Sequence, residues 1–131
     1  MKVNEIMLPV GKFPVIGKTV ILKEALEEMG KYKLGIVCII DDNNTLLGVF
    51  TDGDVRRQLL TVQKPFSAFF IDDTLDHAIR SPLTVRVDDQ IDFAINLMGE
   101  KQVWDLPVID NDGILVGLLH LHPIVKSILK V

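Results

Sequence analysis

Residues 29–60 read MGKYKLGIVCIIDDNNTLLGVFTDGDVRRQLL, and the pattern returns at 98–129 as MGEKQVWDLPVIDNDGILVGLLHLHPIVKSIL. At an offset of 69 residues, Met29-Gly30 falls on Met98-Gly99, Ile40-Asp41 on Ile109-Asp110, Leu46 on Leu115 and Gly48 on Gly117. Upstream, Ala25 meets Ala94, Leu26 meets Ile95 and Ile16 meets Val85, with no gap. One unit is therefore written twice. We place the repeats at 1–62 and 70–131, with 63–69 as a linker.

Each repeat has the same order of signals. A short apolar segment, Pro14-Val15-Ile16 or Leu83-Thr84-Val85, precedes a helical pattern. Leu22, Ala25, Leu26 and Met29, matched by Ile91, Ala94, Ile95 and Met98, follow the i, i+3, i+4, i+7 spacing of one helix face. Gly30 and Gly99 are expected near the ends of these helices, as C-terminal glycines often are. Leu34–Ile40 is apolar on both faces, as a strand covered on both sides must be. Its counterpart Leu106-Pro107-Val108-Ile109 holds a proline, which points to an edge or a strand start. Asp41-Asp42-Asn43-Asn44 and Asp110-Asn111-Asp112-Gly113 are turn sequences. Second strands at 45–50 and 114–119 then complete hairpins. Last helices run at Gly53–Thr61 and Pro123–Lys130, the proline sitting in a first turn that needs no backbone donor. Leading helices are expected near Val3–Met7 and Leu75–Ile79. The fold class is α+β: two β-α-β-β-α units related by a pseudo-two-fold axis. One unit is too small to cover its own sheet, so two are expected to pack through their sheets and leave two equivalent clefts.

Composition narrows the function. A net charge of −4 gives no support to a nucleic-acid role, which usually needs a basic patch. No apolar run approaches the ~20 residues of a membrane span, and the N-terminus carries no signal-peptide core. The single cysteine, Cys38, lies in an apolar run and reads as core. These features suit a cytoplasmic protein. No phosphate-binding Gly-Lys loop or nucleophile–histidine set is present, so the chain reads as non-catalytic. His77 stands alone and reads as a surface residue. His120 and His122, two apart, would share a strand face, but a metal needs more ligands than these. Phe66, Phe69, Phe70 and Ile71 crowd the segment between the repeats, either as a linker folded onto the core or as a contact for a partner.

With Gly48-Val49-Phe50-Thr51-Asp52-Gly53-Asp54 joining second strand to last helix, the repeat resembles a tandem pair of CBS domains over essentially the whole chain. The wording "LGIVCIIDDNNTLLGVFTDGDVRRQL" and "LLHLHPIV" is similar to the C-terminal CBS pair of sugar-phosphate isomerases of the arabinose 5-phosphate isomerase type. Some sugar nucleotidyltransferases carry a similar pair. The resemblance implies a regulatory module, a homodimer of pairs, and a sugar-isomerase domain in the same chain or a separate one. No cofactor is required. The implied ligand is AMP, ADP, ATP or a CMP-linked sugar. The rival reading is a module that only holds its enzyme together.

The resemblance also assigns residues. Thr51 and Asp54 would hold ribose and phosphate. A carboxylate accepts from vicinal hydroxyls, and a threonine hydroxyl can donate to a phosphate oxygen beside helix N–H groups. Gly53 would admit the ligand close to the backbone, and Asp52 would cap the helix. Arg56 and Arg57 can reach a phosphate, or else stay solvated or pair with nearby acids. Val15, Leu34, Gly35 and Ile36 would line the base. In the second repeat His120 replaces Thr51, His122 replaces Gly53 and Pro123 replaces Asp54, so that cleft is expected to hold ribose poorly.

Overall fold

The computed structural model describes residues 1–129. In chain order the elements are β1 (Leu8–Pro9), β2 (Val15–Gly17), α1 (Leu22–Tyr32), β3 (Ile36–Ile40), β4 (Leu46–Thr51), α2 (Asp52–Thr61), α3 (Phe66–Phe70), β5 (Val85–Arg86), α4 (Ile91–Lys101), β6 (Asp105–Ile109), β7 (Leu115–His120) and α5 (Leu121–Leu129). The expected end of the last helix, Lys130, lies outside the described residues. The leading helices are shorter than expected: 3-10 turns at Val3–Glu5 and Thr74–His77.

Two compact units form, Gly11–Pro82 and Met1–Val10 with Leu83–Val131. They do not follow the order of the repeats, because each repeat's leading segment packs on the other repeat.

In the unit Gly11–Pro82 the sheet order is β2-β3-β4, with β2 parallel and β4 antiparallel to β3. Leu22, Ala25 and Met29 of α1 bury one helix face against Val37, Ile39 and Phe50, which is why that spacing is apolar. Phe69, from the segment expected to be a linker, is 2% exposed in the same core, whereas Phe66 is exposed. Chain beyond the linker completes the unit. Leu22 N–H donates to Asp72 O, Thr74 N–H to Val20 O, and Val49 and Ile79 exchange both backbone bonds at 3.0 and 2.9 Å. A side-chain carbon on Gly48 would come within 2.7 Å of Ile79 O, so this close pass needs glycine.

In the other unit the sheet order is β1-β7-β6-β5. Residues 1–10 do for the second repeat what residues 72–80 do for the first: Val3 is fully buried, as Thr74 is. Val3 N–H donates to Asp89 O, and Ile91 N–H to Met1 O. Gly117 is the counterpart of Gly48, since an added carbon would sit 2.5 Å from Met7 Sδ and 2.9 Å from Leu8 O.

One expectation, that Gly30 and Gly99 lie near the helix ends, is met, and one is corrected. The C-caps of α1 and α4 are Lys33 and Gln102, both left-handed, at φ 57° and 55°. Gly30 and Gly99 lie inside the last turns. Pro107 sits in an interior strand, not an edge. In the first repeat the equivalent residue, Cys38, donates its N–H to Pro14 O. Proline cannot make that bond, and β5 accordingly starts at Val85, one repeat position later than β2. The gap in pairing is local, and Pro107 still pairs with Leu118 of β7.

Candidate functional site

All eight residues assigned to the first site belong to the unit Gly11–Pro82. Ile36 opens β3 directly opposite Thr51, which closes β4. Asp52 N–H donates to Gly35 O at 3.0 Å, tying the start of α2 to the start of β3. Leu34, Gly35, Ile36, Thr51, Gly53 and Asp54 therefore meet at one end of the hairpin. Val15 stands level with Cys38, two residues further along β3. Arg56 is exposed on α2.

Thr51 and Asp54 form a reciprocal capping box. Asp54 N–H donates to Thr51 Oγ1 at 3.2 Å, and Thr51 N–H donates to Asp54 Oδ2 at 2.9 Å. The Thr51 hydroxyl also donates to Asp54 Oδ2, at 3.0 Å. Arg57 Nη2 donates to the other oxygen, Asp54 Oδ1, at 2.6 Å. Asp54 is 5% exposed; a buried carboxylate needs such partners to stay charged at tolerable cost.

One sequence reading changes here. Thr51, not Asp52, is the N-cap. The Asp52 carboxylate instead lies over Gly35, where an added carbon would meet Oδ2 at 2.7 Å. The space above Gly53 is occupied by the chain's own Arg57, whose Nη1 and Nη2 stand 3.2 and 3.3 Å from where a side-chain carbon would be. Of the two arginines, Arg57 reaches the site residues; its i+3 spacing from Asp54 was the available signal.

The second repeat is built differently. His120 ends β7 opposite Asp105, the residue that opens β6, and Nδ1 stands 2.7 Å from Asp105 Oδ1. A carboxylate is thus present, but it enters from the neighbouring strand at the position of Ile36. The repeat offset and the hairpin register together would have found it. Leu121 N–H bonds Trp104 O at 2.9 Å, the counterpart of the Asp52–Gly35 bond. His122 and Pro123 lie in the first turn of α5, so His120 and His122 do not share a strand face. Among the described residues no three of His, Cys, Asp and Glu gather as a metal site.

His77 is not a lone surface residue. Its ring is within 3.1 Å of Gln58 Oε1 and 2.8 Å of Asp72 Oδ2, and it packs 4.8 Å from the Phe69 ring. Asp72 also accepts from Lys64 at 2.5 Å. Hydrogen bonds from Lys64 and then His77 hold its carboxyl below the usual carboxylate value.

The model of the CBS domain family matches residues 3–61 and 73–130, and the chain belongs to that family. It is 33% identical over 129 residues to arabinose 5-phosphate isomerase KdsD of Escherichia coli K12, covering 97% of this chain and 37% of that enzyme. An uncharacterised protein of Chlamydia pneumoniae is 32% identical over 129 residues, covering 96% and 38%. The chain thus spans little more than a third of the length of these relatives. Among solved structures, CBSX2 in complex with AMP superposes with a TM-score of 0.86 at 32% identity, covering 98% of this chain and 96% of that one; a further CBSX2 structure is from Arabidopsis thaliana. The CBS pair of MJ0100, solved with 5′-methylthioadenosine and S-adenosylmethionine, shares the fold at a TM-score of 0.83 and 18% identity, covering 99% and 97%. Among the described residues, no helix is long and apolar enough to cross a membrane.

Proposed function

We propose that this CBS pair is a non-catalytic regulatory module that binds an adenine nucleotide, or a CMP-linked sugar, at the end of the β3–β4 hairpin. The observation that carries the reading is the buried Asp54 carboxylate held beside Thr51 at the start of α2. The similarity to CBSX2, solved with AMP, supports the adenine nucleotide. The similarity to KdsD supports a sugar-phosphate isomerase as the regulated partner, in the same polypeptide or a separate one; the cytoplasm is our proposal for where it works. Binding regulates only if the ligand favours one of two states of that partner.

A second reading, a module whose work is assembly, has its own support. Leu59 and Leu60 of α2 and their repeat equivalents Ile128 and Leu129 of α5 are all exposed. The same apolar face on both last helices suits a homodimer of pairs.

A thermal-shift panel separates the two: AMP, ADP, ATP, S-adenosylmethionine, CMP and a CMP-linked sugar, against the native chain and Asp54→Asn. A ligand at about 100 times its dissociation constant adds about 2.7 kcal/mol, which moves the melting point by several degrees. A shift that disappears in Asp54→Asn supports the sensor. No shift with any compound at millimolar concentration leaves the assembly module.

A further inference from the structure

Counting the acceptor sites of Asp54 leads further. A carboxylate offers about four lone-pair positions, two on each oxygen. Oδ2 already receives the Thr51 N–H and the Thr51 hydroxyl. Oδ1 receives Arg57 Nη2 at 2.6 Å. One position is left, and a vicinal diol needs two. The Thr51 N–H bond belongs to the cap of α2 and cannot be given up without fraying the helix; the hydroxyl proton can turn away, but it sits on Oδ2 and leaves Oδ1 as it was. The Arg57 bond is different. Its carboxylate end is buried, but the arginine side chain is 56% exposed and rides on a flexible stem across the face of Gly53. It is the one charged partner able to leave, and the partner that holds Oδ1.

We propose that Arg57 is the gate and the specificity residue of this site: its guanidinium competes with the ligand's ribose for Asp54 Oδ1 and yields when the ligand brings an anion of its own. This rests on the nucleotide reading above. Withdrawing a guanidinium from a carboxylate costs a charge-assisted bond. A 5′-phosphate restores that bond, because a guanidinium accepts phosphate as readily as carboxylate. The start of α2, where the guanidinium lies, also favours negative charge. A nucleoside or thioether lacking phosphate would displace Arg57 and offer nothing in return. The site therefore selects phosphorylated nucleotides through an exchange of partners, and the arginine that does so is Arg57, not Arg56.

The test is calorimetric binding of AMP and adenosine to the native chain, Arg57→Met and Arg57→Gln. Because Arg57 is largely exposed, both variants are expected to keep the fold at some cost in stability, which a single cooperative melting transition without ligand verifies. The native chain should prefer AMP to adenosine. In both variants adenosine should tighten about ten- to a hundred-fold, because Oδ1 is vacated, while AMP changes little: the bond its phosphate gave back is lost together with the bond its ribose had to break. Equal weakening of both ligands, an unaltered preference, or loss of the preference in Arg56→Gln instead would each overturn the gate while leaving nucleotide binding in place. Failure of the native chain to bind either compound would overturn the nucleotide reading and the gate together.

Discussion

Removing the Asp54 carboxylate would leave the Thr51 N–H, the Thr51 hydroxyl and the Arg57 guanidinium without their acceptor. The residue that the motif marks for ligand binding is also the closing member of a helix cap. Asp54→Ala should therefore cost stability with no ligand present, about 1–2 kcal/mol for a lost cap with buried donors, read as a lower urea midpoint at unchanged slope. An unchanged midpoint would mean that the capping box contributes nothing in solution. A loss of ligand response in Asp54→Ala alone would mix the two roles, which is why the charge-removing Asp54→Asn and the Arg57 variants carry the functional tests. Thr51 and Asp54 were marked as a pair by the motif of the resembled family, while their Thr-x-x-Asp spacing before a helix, the signal of a capping box, went unread. That the pair bonds to itself was not separable from binding a ligand, since both uses need the same two side chains.

Among the elements, the helices show where periodicity reads well and where it does not. The apolar spacing of α1 and α4 placed their buried faces correctly. Glycine marked the neighbourhood of their ends but not the caps: the chain continues through Gly30 and Gly99 and turns at Lys33 and Gln102 with positive φ. Both glycines lie in helical backbone, and a side-chain carbon added at either would meet no atom within 4 Å. Gly30→Ala and Gly99→Ala should each stabilise the chain by about 0.5–1 kcal/mol, since alanine loses less backbone freedom on forming helix. Denaturant titration measures this directly. A destabilised Gly99→Ala would place the end of α4 before that residue. Pro107 was misread because the sequence shows that a donor is missing, but not which neighbouring strand would have received it.

At the scale of the molecule, the repeat was legible and the partition of the chain was not. An internal repeat shows which residues are equivalent, but it does not show which copy's core a leading segment joins. Residues 1–10 complete the second repeat, and residues 66–82 complete the first. A fragment cut along the sequence repeat, 1–62, would lack Phe69 and Thr74 from the buried set, with Leu75 and Ala78 beside them. It would also lose the backbone bonds from Leu22 to Asp72, from Thr74 to Val20, and both between Val49 and Ile79. Deleting one buried phenylalanine side chain costs about 3–5 kcal/mol, close to the whole stability of a small domain. The fragment 11–82 keeps every one of these groups and omits only residues that serve the other core. We expect 11–82 to unfold in urea with a single sigmoidal transition and 1–62 to show none, each followed by circular dichroism at equal concentration. Equal cooperativity in the two fragments would mean that the exchanged segments are not needed to close each core. A gradual loss of signal from both would mean that Gly11–Pro82 does not fold by itself.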